Sequence, residues 1–583
     1  MTEFQEKKSV LKRLQEIRKD ALSGVKIGLA TVSGVLSTKT NLVKYACKEL
    51  EFELVTTKSF QVRPNPGNRE PVICQVEPFS FGNSVGLRNP GIEVAVKELE
   101  HLRKSFNMPS LLNVSLSASS PEDFIELIKK VECIADLVEL NFSCPHASAG
   151  FGSSIGCNLD IATNYVKEII KAIPSCKTLI FVKLTPNVPN IGEIAFSVIN
   201  AGADGIVAIN TVGPSLYIEP NSKKPILQNK LGGKGGKSGK WIFERAIECV
   251  CKIRKAVGEE VPIIGMGGVS SGEDAAKMIQ AGANVVGIGS AFGTVKQEDW
   301  KQYLKTLKAD ALSFLNGSIE NNTNKYIIKN ERMKYEPYSI LDIQKISDDV
   351  IIIKLNGNME FKAGEFVFLW LPGIGEKPFS LFLSSPITFI IKRRGFFTSE
   401  LFNLQIGDII YLRGLYGKPL SLPTTKSAIL LAGGTGVALL PSLAKQLKEK
   451  NTNLEIYIGT SENINNNTKK TYNIIEESLK NYGVFHLIHD DGVVARVLNV
   501  IENDIRIAEQ KVACYIVGPM VFMKKAAEIF IKQGIPKTLI FLSLEKTTMC
   551  GVGLCGECSC GNRLTCQTGT FLSYKELEEM EAY

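Results

Sequence analysis

The stretch PIIGMGGVSSGEDAAKMIQAGANVVGIGS, residues 262–290, decides the fold of the first half of the chain. An apolar run ends in the pair Gly267-Gly268, a helical pattern covers 272–281, and a second apolar run ends at Gly289-Ser290. Short buried strands that alternate with helices pair in parallel, because a parallel connection needs a crossover that is usually a helix. We therefore predict a strand–helix–strand unit in this stretch.

The same alternation of apolar runs and helical patterns extends back to the beginning of the chain. The predicted strands lie near 27–32, 53–57, 111–116, 136–141, 179–184, 204–209, 262–266 and 285–289. Eight strands, each followed by a helix over about 290 residues, predict a (β/α)8 barrel, an α/β fold. A charged, helix-prone segment precedes the first strand.

Small, amide and cationic residues follow the predicted strands, where (β/α)8 enzymes place their catalytic groups. These strand ends are Ser33-Gly34, Thr57-Lys58-Ser59, Asn141-Phe-Ser143-Cys144-Pro-His146, Lys183, Asn210-Thr211, Gly267-Gly268 and Gly289-Ser290. The two glycine pairs follow the final strands, where barrel phosphate sites are built from backbone N–H groups. They predict a phosphate-binding pocket, and the alternative is close strand–helix packing by glycine.

The second half of the chain has a different pattern of predicted elements from the first. An Asn-, Lys- and Ser-rich run near 316–330 has little apolar periodicity and predicts a linker. An antiparallel-looking region follows, and then an apolar strand enters Gly433-Gly-Thr-Gly436, which predicts an α/β segment. The predicted divisions are 1–25 (helical extension), 26–315 (barrel), 316–331 (linker), 332–421 (antiparallel β-barrel), 422–543 (α/β domain) and 544–583 (cysteine-rich segment).

Four cysteines near the C-terminus form the pattern C-x4-C-x2-C-x7-C, at Cys550, Cys555, Cys558 and Cys566. The first three reproduce the plant-type spacing of a [2Fe-2S] ferredoxin loop, which a later cysteine closes. The alternatives are a structural zinc site, which favours paired C-x2-C motifs, and unbonded thiols. Cys560 fits no ligand position, although a shifted register that uses it stays open.

Composition limits the classes of function. The 583 residues are 44% hydrophobic and 22% charged, which is ordinary for a globular protein of several domains. A formal charge of +8 is spread along Lys-rich helices, so we expect no nucleic-acid partner. No uninterrupted apolar stretch predicts a membrane span, and fourteen cysteines without a secretory signal predict a reducing, cytoplasmic location.

Several motifs in the first half, in order and spacing, resemble the FMN-binding catalytic subunit of class 1B (NAD-dependent) dihydroorotate dehydrogenases. The matching segments are Thr57-Lys-Ser59, Asn83-Ser-Val-Gly-Leu-Arg-Asn89, Asn141-Phe-Ser-Cys-Pro145, Ile209-Asn-Thr211, Gly232-Gly-Lys-Gly-Gly236 and Ile264-Gly-Met-Gly-Gly268. The second half resembles the electron-transfer subunit of the same family, a ferredoxin-reductase-like FAD protein that ends in a [2Fe-2S] loop. Its matching segments are Lys377-Pro-Phe-Ser380, Gly433-Gly-Thr-Gly-Val-Ala438, Asp490-Asp-Gly492, Gly518-Pro-Met520 and Ser543-Leu-Glu545. The resemblance implies that two subunits are fused in one chain.

The resemblance also implies roles for the residues at these motifs. Cys144 would be the base that takes a proton from dihydroorotate, while hydride passes to FMN and electrons pass through [2Fe-2S] and FAD to NAD. The implied substrate contacts are Lys58, Asn83, Gly86, Leu87, Asn141, His146, Asn210 and Thr211. The implied FMN contacts are Ser33, Gly34, Lys58, Ser59, Asn141, Lys183, Gly236, Gly267, Gly268, Gly289 and Ser290. The implied FAD contacts are Lys377, Pro378, Phe379, Ser380, Gly395 and Thr398, and those for NAD are Gly433, Gly434 and Gly436. Cys550, Cys555, Cys558 and Cys566 would hold the cluster, and the barrel would form a homodimer.

Three departures from the family pattern keep alternatives open. His146 stands where many members have Asn, and dihydropyrimidine dehydrogenases share this Ser-Cys-Pro-His, so reduction of uracil or thymine is an alternative activity. Lys377 replaces the usual Arg of the flavin motif and loses the planar fork suited to a pyrophosphate. One glycine of the usual Gly-x-Gly-Thr is missing at Gly395. A flavin and iron–sulfur adaptor that only passes electrons to another protein is a second alternative.

Overall fold

The computed structural model describes residues 3–142, 153–317, 321–329, 331–460, 466–489, 496–503 and 511–582. The chain divides into two units. The first comprises Met1–Arg332 and the short segment Val552–Glu557, and the second comprises Met333–Gly551 and Cys558–Tyr583. In the described ranges, no helix is both long enough and apolar enough to cross a membrane.

The first unit contains a closed barrel of eight parallel strands. Its strands are Leu29–Thr31, Leu54–Thr56, Leu111–Leu116, Leu137–Asn141, Leu179–Lys183, Gly205–Ala208, Ile263–Met266 and Val285–Ile288. They are hydrogen-bonded in chain order, and the first strand closes the barrel against the last. All eight strands lie within two residues of the bounds predicted from the sequence, and the predicted (β/α)8 barrel is confirmed.

Helices follow the strands because their apolar faces repeat at helical spacing and their first turns are capped. The helices of this unit are Glu3–Leu22, Thr40–Lys48, Ile92–Ser105, Pro121–Val131, Ser153–Gly156, Leu159–Ala172, Ile191–Asn200, Phe243–Val257, Gly272–Gln280 and Trp300–Leu315. In the helix that begins at Gly272, Ser271 and Asp274 cap each other reciprocally. This capping fixes the end of the short loop that runs from the glycine pair after the seventh strand to the helix.

The N-terminal helix covers the end of the barrel opposite the polar strand ends. Its Leu14 and Ile17 are buried in one cluster with residues near the beginnings of several strands, such as Leu54 and Leu137. A Cβ added at Gly28 would lie 2.3 Å from the Ile17 side chain, so only glycine permits this approach. The apolar contacts at this end close the barrel interior.

A second sheet of this unit was not predicted from the sequence. Four antiparallel strands, Ile73–Glu77, Ser80–Asn83, Lys234–Gly239 and Val212–Leu216, pair in that order. They belong to the long connections that follow the second and sixth barrel strands. The sheet therefore brings two sequence-distant loops together at the carboxyl ends of the barrel strands.

The second unit contains a seven-stranded antiparallel sheet. In hydrogen-bonded order its strands are Gly375–Phe379, Phe366–Leu371, Ile409–Tyr416, Glu336–Lys345, Val350–Leu355, Ile387–Lys392 and Leu383–Ser384. The helix Phe396–Leu401 lies in the connection before Ile409. The antiparallel pairing agrees with the antiparallel region expected from the sequence.

A six-stranded sheet follows in the same unit. In hydrogen-bonded order its strands are Val484–His489, Asn453–Thr460, Ser427–Gly433, Val512–Val517, Ile540–Ser543 and Phe571–Ser573. The first five pair in parallel and the last is antiparallel. The helices of this part are Leu440–Glu449, Asn466–Leu479, Arg496–Asn503, Met520–Lys532, Thr565–Thr568 and Tyr574–Ala582. A two-stranded hairpin, Ser559–Cys560 with Arg563–Leu564, precedes Cys566.

Candidate active site and cofactor sites

Three of the predicted site residues meet through their side chains at the carboxyl ends of the barrel strands. Ser33 and Ser59 follow the first two strands, and their hydroxyl oxygens lie 3.2 Å apart. The Asn141 amide, at the end of the strand Leu137–Asn141, donates to the Ser59 hydroxyl at 3.1 Å. Asn141 and Ser59 are both buried. The strand ends therefore form one connected polar group, as expected of a ligand pocket in this architecture.

Below this group lies an acidic residue that the sequence analysis did not single out. Glu139 is fully buried in the barrel interior, and its carboxylate lies 3.4 Å from the ammonium group of buried Lys183. The Ser115 hydroxyl donates to the same carboxylate oxygen at 2.8 Å and lies 2.8 Å from the Ser59 hydroxyl. Hydrogen bonds thus connect the Lys183–Glu139 pair to Ser59 and Asn141.

Lys58 follows the second barrel strand and is largely buried. Its ammonium group lies 3.6 Å from the carboxylate of Glu557, which belongs to the same unit and also pairs with Arg88 at 3.4 Å. Burial lowers the pKa of Lys58, while the nearby charges of Glu557 and Cys555 oppose this shift. The lysine predicted to touch flavin and substrate therefore has an acidic partner that motif matching did not reveal.

The predicted substrate loop begins at the end of a strand of the four-stranded sheet. Asn83 ends one strand of that sheet, and its side-chain amide donates to the carbonyl of Gly236 at 3.3 Å. Gly86 and Leu87 both have positive φ, at 76° and 56°. Positive φ is rare for leucine and marks a strained turn of the kind found at ligand sites. The structure thus brings Asn83 and Gly236 together, although 153 residues separate them.

The glycine pairs after the last two strands are the residues predicted to bind phosphate. Gly267 and Gly268 both have positive φ, and a Cβ at Gly268 would lie 2.6 Å from the carbonyl oxygen of Gly239. Gly34, after the first strand, has positive φ and open space where a side chain would point. Ser290 begins a short helical turn after Gly289. Gly268 is thus buried in close packing, as the packing alternative expects, whereas Gly267, Gly289 and Ser290 are partly exposed at the strand ends.

The structure describes only some of the remaining predicted residues of the barrel. Asn210 and Thr211 follow the sixth strand, where the Asn210 side-chain oxygen accepts from the Thr211 N–H at 2.9 Å. Cys144 and His146 lie outside the described residues. Their positions in the chain, three and five residues beyond Asn141, put both in the connection that begins at this polar strand end.

The second unit contains a cavity of about 420 Å³ where the flavin motif was predicted. Of the predicted FAD and NAD residues, those that line it are Lys377, Pro378, Phe379, Ser380, Thr398 and Gly436. Gly395 begins the helix Phe396–Leu401, and its N–H donates to the Thr398 hydroxyl at 3.0 Å. Gly433 and Gly434 lie at the end of the strand Ser427–Gly433. The cavity thus brings together lysine and hydroxyl side chains of the predicted flavin motif.

Three of the four motif cysteines are buried together in the second unit. The Cys566 thiol is within hydrogen-bonding reach of both Cys550 and Cys558. Cys555 lies in the Val552–Glu557 segment of the first unit, three residues before Cys558 along the chain. Within the described ranges, no three His, Cys, Asp or Glu side chains are grouped as ligands of one metal ion. A [2Fe-2S] cluster uses four thiolates for two irons, and the predicted set consists of these three cysteines of the second unit and Cys555 of the first.

Cys560 has a different environment from the motif cysteines. It is buried in an apolar cluster of the second unit with residues such as Leu572 and Leu577. A cysteine packed among aliphatic side chains behaves as a small apolar residue. Its environment favours the register that uses Cys550, Cys555, Cys558 and Cys566.

A buried ion pair supports the beginning of the four-cysteine motif. Arg413 and Glu376 are fully buried and form two hydrogen bonds, at 2.8 and 2.6 Å. Arg413 also donates to the backbone carbonyls of Met549 and Cys550, and to the Tyr416 hydroxyl. These contacts fix the backbone at Cys550 against the antiparallel sheet, and the sequence analysis did not find them.

A closed parallel barrel whose polar side chains gather at the carboxyl ends of its strands defines the class of (β/α)8 enzymes. Residues 26–309 match the dihydroorotate dehydrogenase family model. The catalytic subunit of dihydroorotate dehydrogenase B (NAD(+)) from Methanocaldococcus jannaschii is 45% identical over 237 residues, which cover 40% of this chain and 74% of that protein. The corresponding subunit from Pyrococcus horikoshii is 36% identical over 285 residues, 48% of this chain and 88% of that protein. The chain belongs to the dihydroorotate dehydrogenase family and is an oxidoreductase.

Proposed function

We propose that the first unit oxidises dihydroorotate to orotate and that the second unit passes the electrons to NAD. The observation that carries this proposal is the connected polar group at the barrel strand ends, where Lys183, Asn141 and Ser59 are joined by hydrogen bonds in a family barrel. The relatives are named for NAD-linked dihydroorotate oxidation. The proposal extends this activity to the present chain, in which both functions are fused.

Each side chain has a role that follows from its chemistry. Cys144 acts as the base that removes a proton from the substrate, which requires a thiolate or a route for onward proton transfer. Asn83, Asn141 and Asn210 offer amide donors and acceptors to the pyrimidine ring. Lys58 and Lys183 supply positive charge at the pocket, and the glycine pairs offer N–H groups to the phosphate of FMN. A bound flavin accepts hydride, and a [2Fe-2S] cluster transfers single electrons.

The second unit supplies the FAD and NAD sites and three of the four cluster cysteines in this proposal, and the fourth, Cys555, belongs to the first unit. The cavity lined by Lys377 and Ser380 holds FAD, and the loop at Gly433–Gly436 faces NAD at a helix N-terminus. Cys550, Cys555, Cys558 and Cys566 hold the cluster. The proposed order of electron transfer is FMN, [2Fe-2S], FAD and NAD.

Cofactor analysis tests the set of sites. Purified protein should contain FMN, FAD and about two irons per chain, as one [2Fe-2S] cluster requires. Acid extraction with chromatographic separation of the flavins, and a colorimetric iron assay, measure all three. A single flavin species would contradict the assignment of separate FMN and FAD sites.

Anaerobic bleaching of the bound flavin tests the substrate. Dihydroorotate should bleach it without any protein partner, and dihydrouracil should not. Cys144→Ser should slow this bleaching at least a hundredfold, since general-base catalysis contributes about 10²–10⁴-fold. NADH should still reduce the variant's FAD. Cys133→Ser is the matched control, because this thiol is exposed on the barrel and should not affect bleaching.

The other outcomes of the bleaching experiment each identify a different activity. Bleaching by dihydrouracil in preference to dihydroorotate would support the pyrimidine reductase alternative that His146 suggests. Bleaching by neither compound would leave the electron-transfer adaptor as the better description. Equal loss of dihydroorotate and NADH reduction in Cys144→Ser would contradict the division of labour between the two units.

A further inference from the structure

Glu139 is a charged residue in a place where barrels normally have apolar ones. It lies in the middle of the strand Leu137–Asn141, and its side chain is completely buried. Barrel interiors are filled mainly by Val, Ile and Leu, and a buried carboxylate costs free energy unless it is paired and hydrogen-bonded. The carboxylate therefore requires a specific explanation.

The contacts of Glu139 come from both neighbouring strands. On one side Ser115 donates at 2.8 Å and Asn113 approaches at 3.5 Å, each from the strand Leu111–Leu116. On the other side Lys183 ends the strand Leu179–Lys183 and places its ammonium group 3.4 Å away. The carboxylate is thus fixed between two strands, and it is the acidic group paired with Lys183.

We propose that Glu139 is a positioning residue that holds Lys183 and partly offsets its positive charge at the flavin pocket. This inference rests on the proposed function, in which Lys183 lies beside FMN. Replacing a buried ion pair by apolar residues is often neutral or stabilising, so stability alone is a weak reason for this pair. A role in setting the charge at the pocket gives the pair a function that an apolar pair could not have.

The direction of the effect follows from the charges. Glu139→Gln keeps the shape of the side chain and an oxygen that can accept from Ser115, but it removes the negative charge. Lys183 then acts on the pocket without its counter-charge, which favours the more negative, reduced form of the flavin. We expect the equilibrium constant for two-electron reduction to rise about tenfold, which corresponds to about +30 mV in midpoint potential.

Reductive titration of the holoenzyme under argon, followed by visible absorption with reference dyes, measures this shift. The midpoint potential of one flavin should rise in Glu139→Gln, while the second flavin and the iron–sulfur signal stay in place as internal references. Asp310→Asn is the matched control. Asp310 is a buried carboxylate of the same unit that binds Thr323, outside the polar group at the strand ends, and its replacement should move neither flavin.

A second pair of variants separates action through Lys183 from a direct effect. In a Lys183→Gln background, adding Glu139→Gln should raise the equilibrium constant for flavin reduction less than it does in the wild-type background, because only the direct effect of the Glu139 charge on the flavin remains. The double variant carries no unpaired buried charge from this pair. Its comparison with Lys183→Gln therefore measures the effect of Glu139 that does not depend on Lys183, even if Glu139→Gln alone does not fold.

Three outcomes would overturn the inference: an unchanged or lower potential in Glu139→Gln, an equal rise in both backgrounds, or a rise in the Asp310→Asn control. Failure of the proposed function would be recognised separately. Wild-type protein would then lack FMN or show no bleaching by dihydroorotate, whatever the potentials of the variants.

Discussion

Replacing Arg413 with Met should strongly destabilise the second unit. Arg413 is fully buried, and its donors reach Glu376, Tyr416 and the carbonyls of Met549 and Cys550. Methionine fills much of the volume but donates no hydrogen bond. Glu376 is then left buried without its cation, although Tyr335 still donates to it.

These contacts determine the expected loss of stability. Breaking a buried ion pair by removing one partner costs about 3–5 kcal/mol, most of which is the cost of the uncompensated charge. The hydrogen bonds to the two carbonyls are charge-assisted, but such contributions overlap in one network and do not add. We therefore expect a loss of about 4 kcal/mol in the free energy of local opening, which is close to a thousandfold in the opening equilibrium.

Hydrogen exchange of the strand Phe366–Leu371 measures this loss, because it pairs directly with the strand that carries Arg413. Exchange reports local opening, which suits a protein of several domains better than a single melting curve. The matched control is Lys537→Met, which breaks an exposed pair with Glu578 in the same unit and should change exchange little. Arg413→Met combined with Glu376→Leu should recover much of the lost protection, since no unpaired charge remains. Less than a tenfold acceleration in Arg413→Met would refute this reasoning.

Three further predictions concern the cysteines and the flavin motif. Cys558→Ser should lose iron and abolish dihydroorotate-driven reduction of NAD, while dihydroorotate still bleaches flavin; near-normal turnover in a variant shown to lack iron would contradict the proposed electron route. Burial raises the pKa of the Cys249 thiol to about 11, so its thiolate fraction at pH 8 is small. Mass spectrometry after iodoacetamide treatment should therefore find exposed Cys251 alkylated well before Cys249. Lys377→Arg should tighten FAD binding severalfold, measured by fluorescence titration of flavin-depleted protein, because the guanidinium fork suits a pyrophosphate better than an ammonium group does. Weaker FAD binding in that variant would show that lysine is adapted to its position.

The barrel could be predicted from the sequence because each of its strands is a short, continuous apolar run. Strands such as Leu179–Lys183 are buried on both sides, so apolar residues are not interrupted by solvent-facing positions. The four-stranded sheet was missed for the opposite reason. Its strand Lys234–Gly239 consists of glycine, lysine and serine, whose propensities indicate a loop. Pairing with Ser80–Asn83, far away in sequence, makes it a strand.

The candidate site was predicted unevenly for a related physical reason. Lys58, Asn141 and Lys183 follow apolar strands, so local sequence marks them as strand-end residues. Glu139 and Glu557 carry no such mark, because what distinguishes them is a partner far away along the chain. The sequence does contain one indication of Glu139, because this carboxylate interrupts the apolar run Leu137–Leu140. A charged residue within a predicted buried strand indicates an unseen partner.

Glu139 and Arg413 are buried ions in two separate units, and for both the question is whether the ion serves folding or a cofactor site. Each is a buried ion with a buried partner of opposite charge, and desolvation makes such pairs a poor means of gaining stability. Each also contacts a group assigned to a cofactor site: Glu139 contacts Lys183, and Arg413 contacts the backbone of Cys550. Lys183 is itself assigned to the flavin pocket, so double apolar replacement is informative only for Arg413 and Glu376. If these two ions served folding alone, their apolar replacement would leave iron retention unchanged. If they serve the cluster, the replacement should keep the fold while iron retention falls.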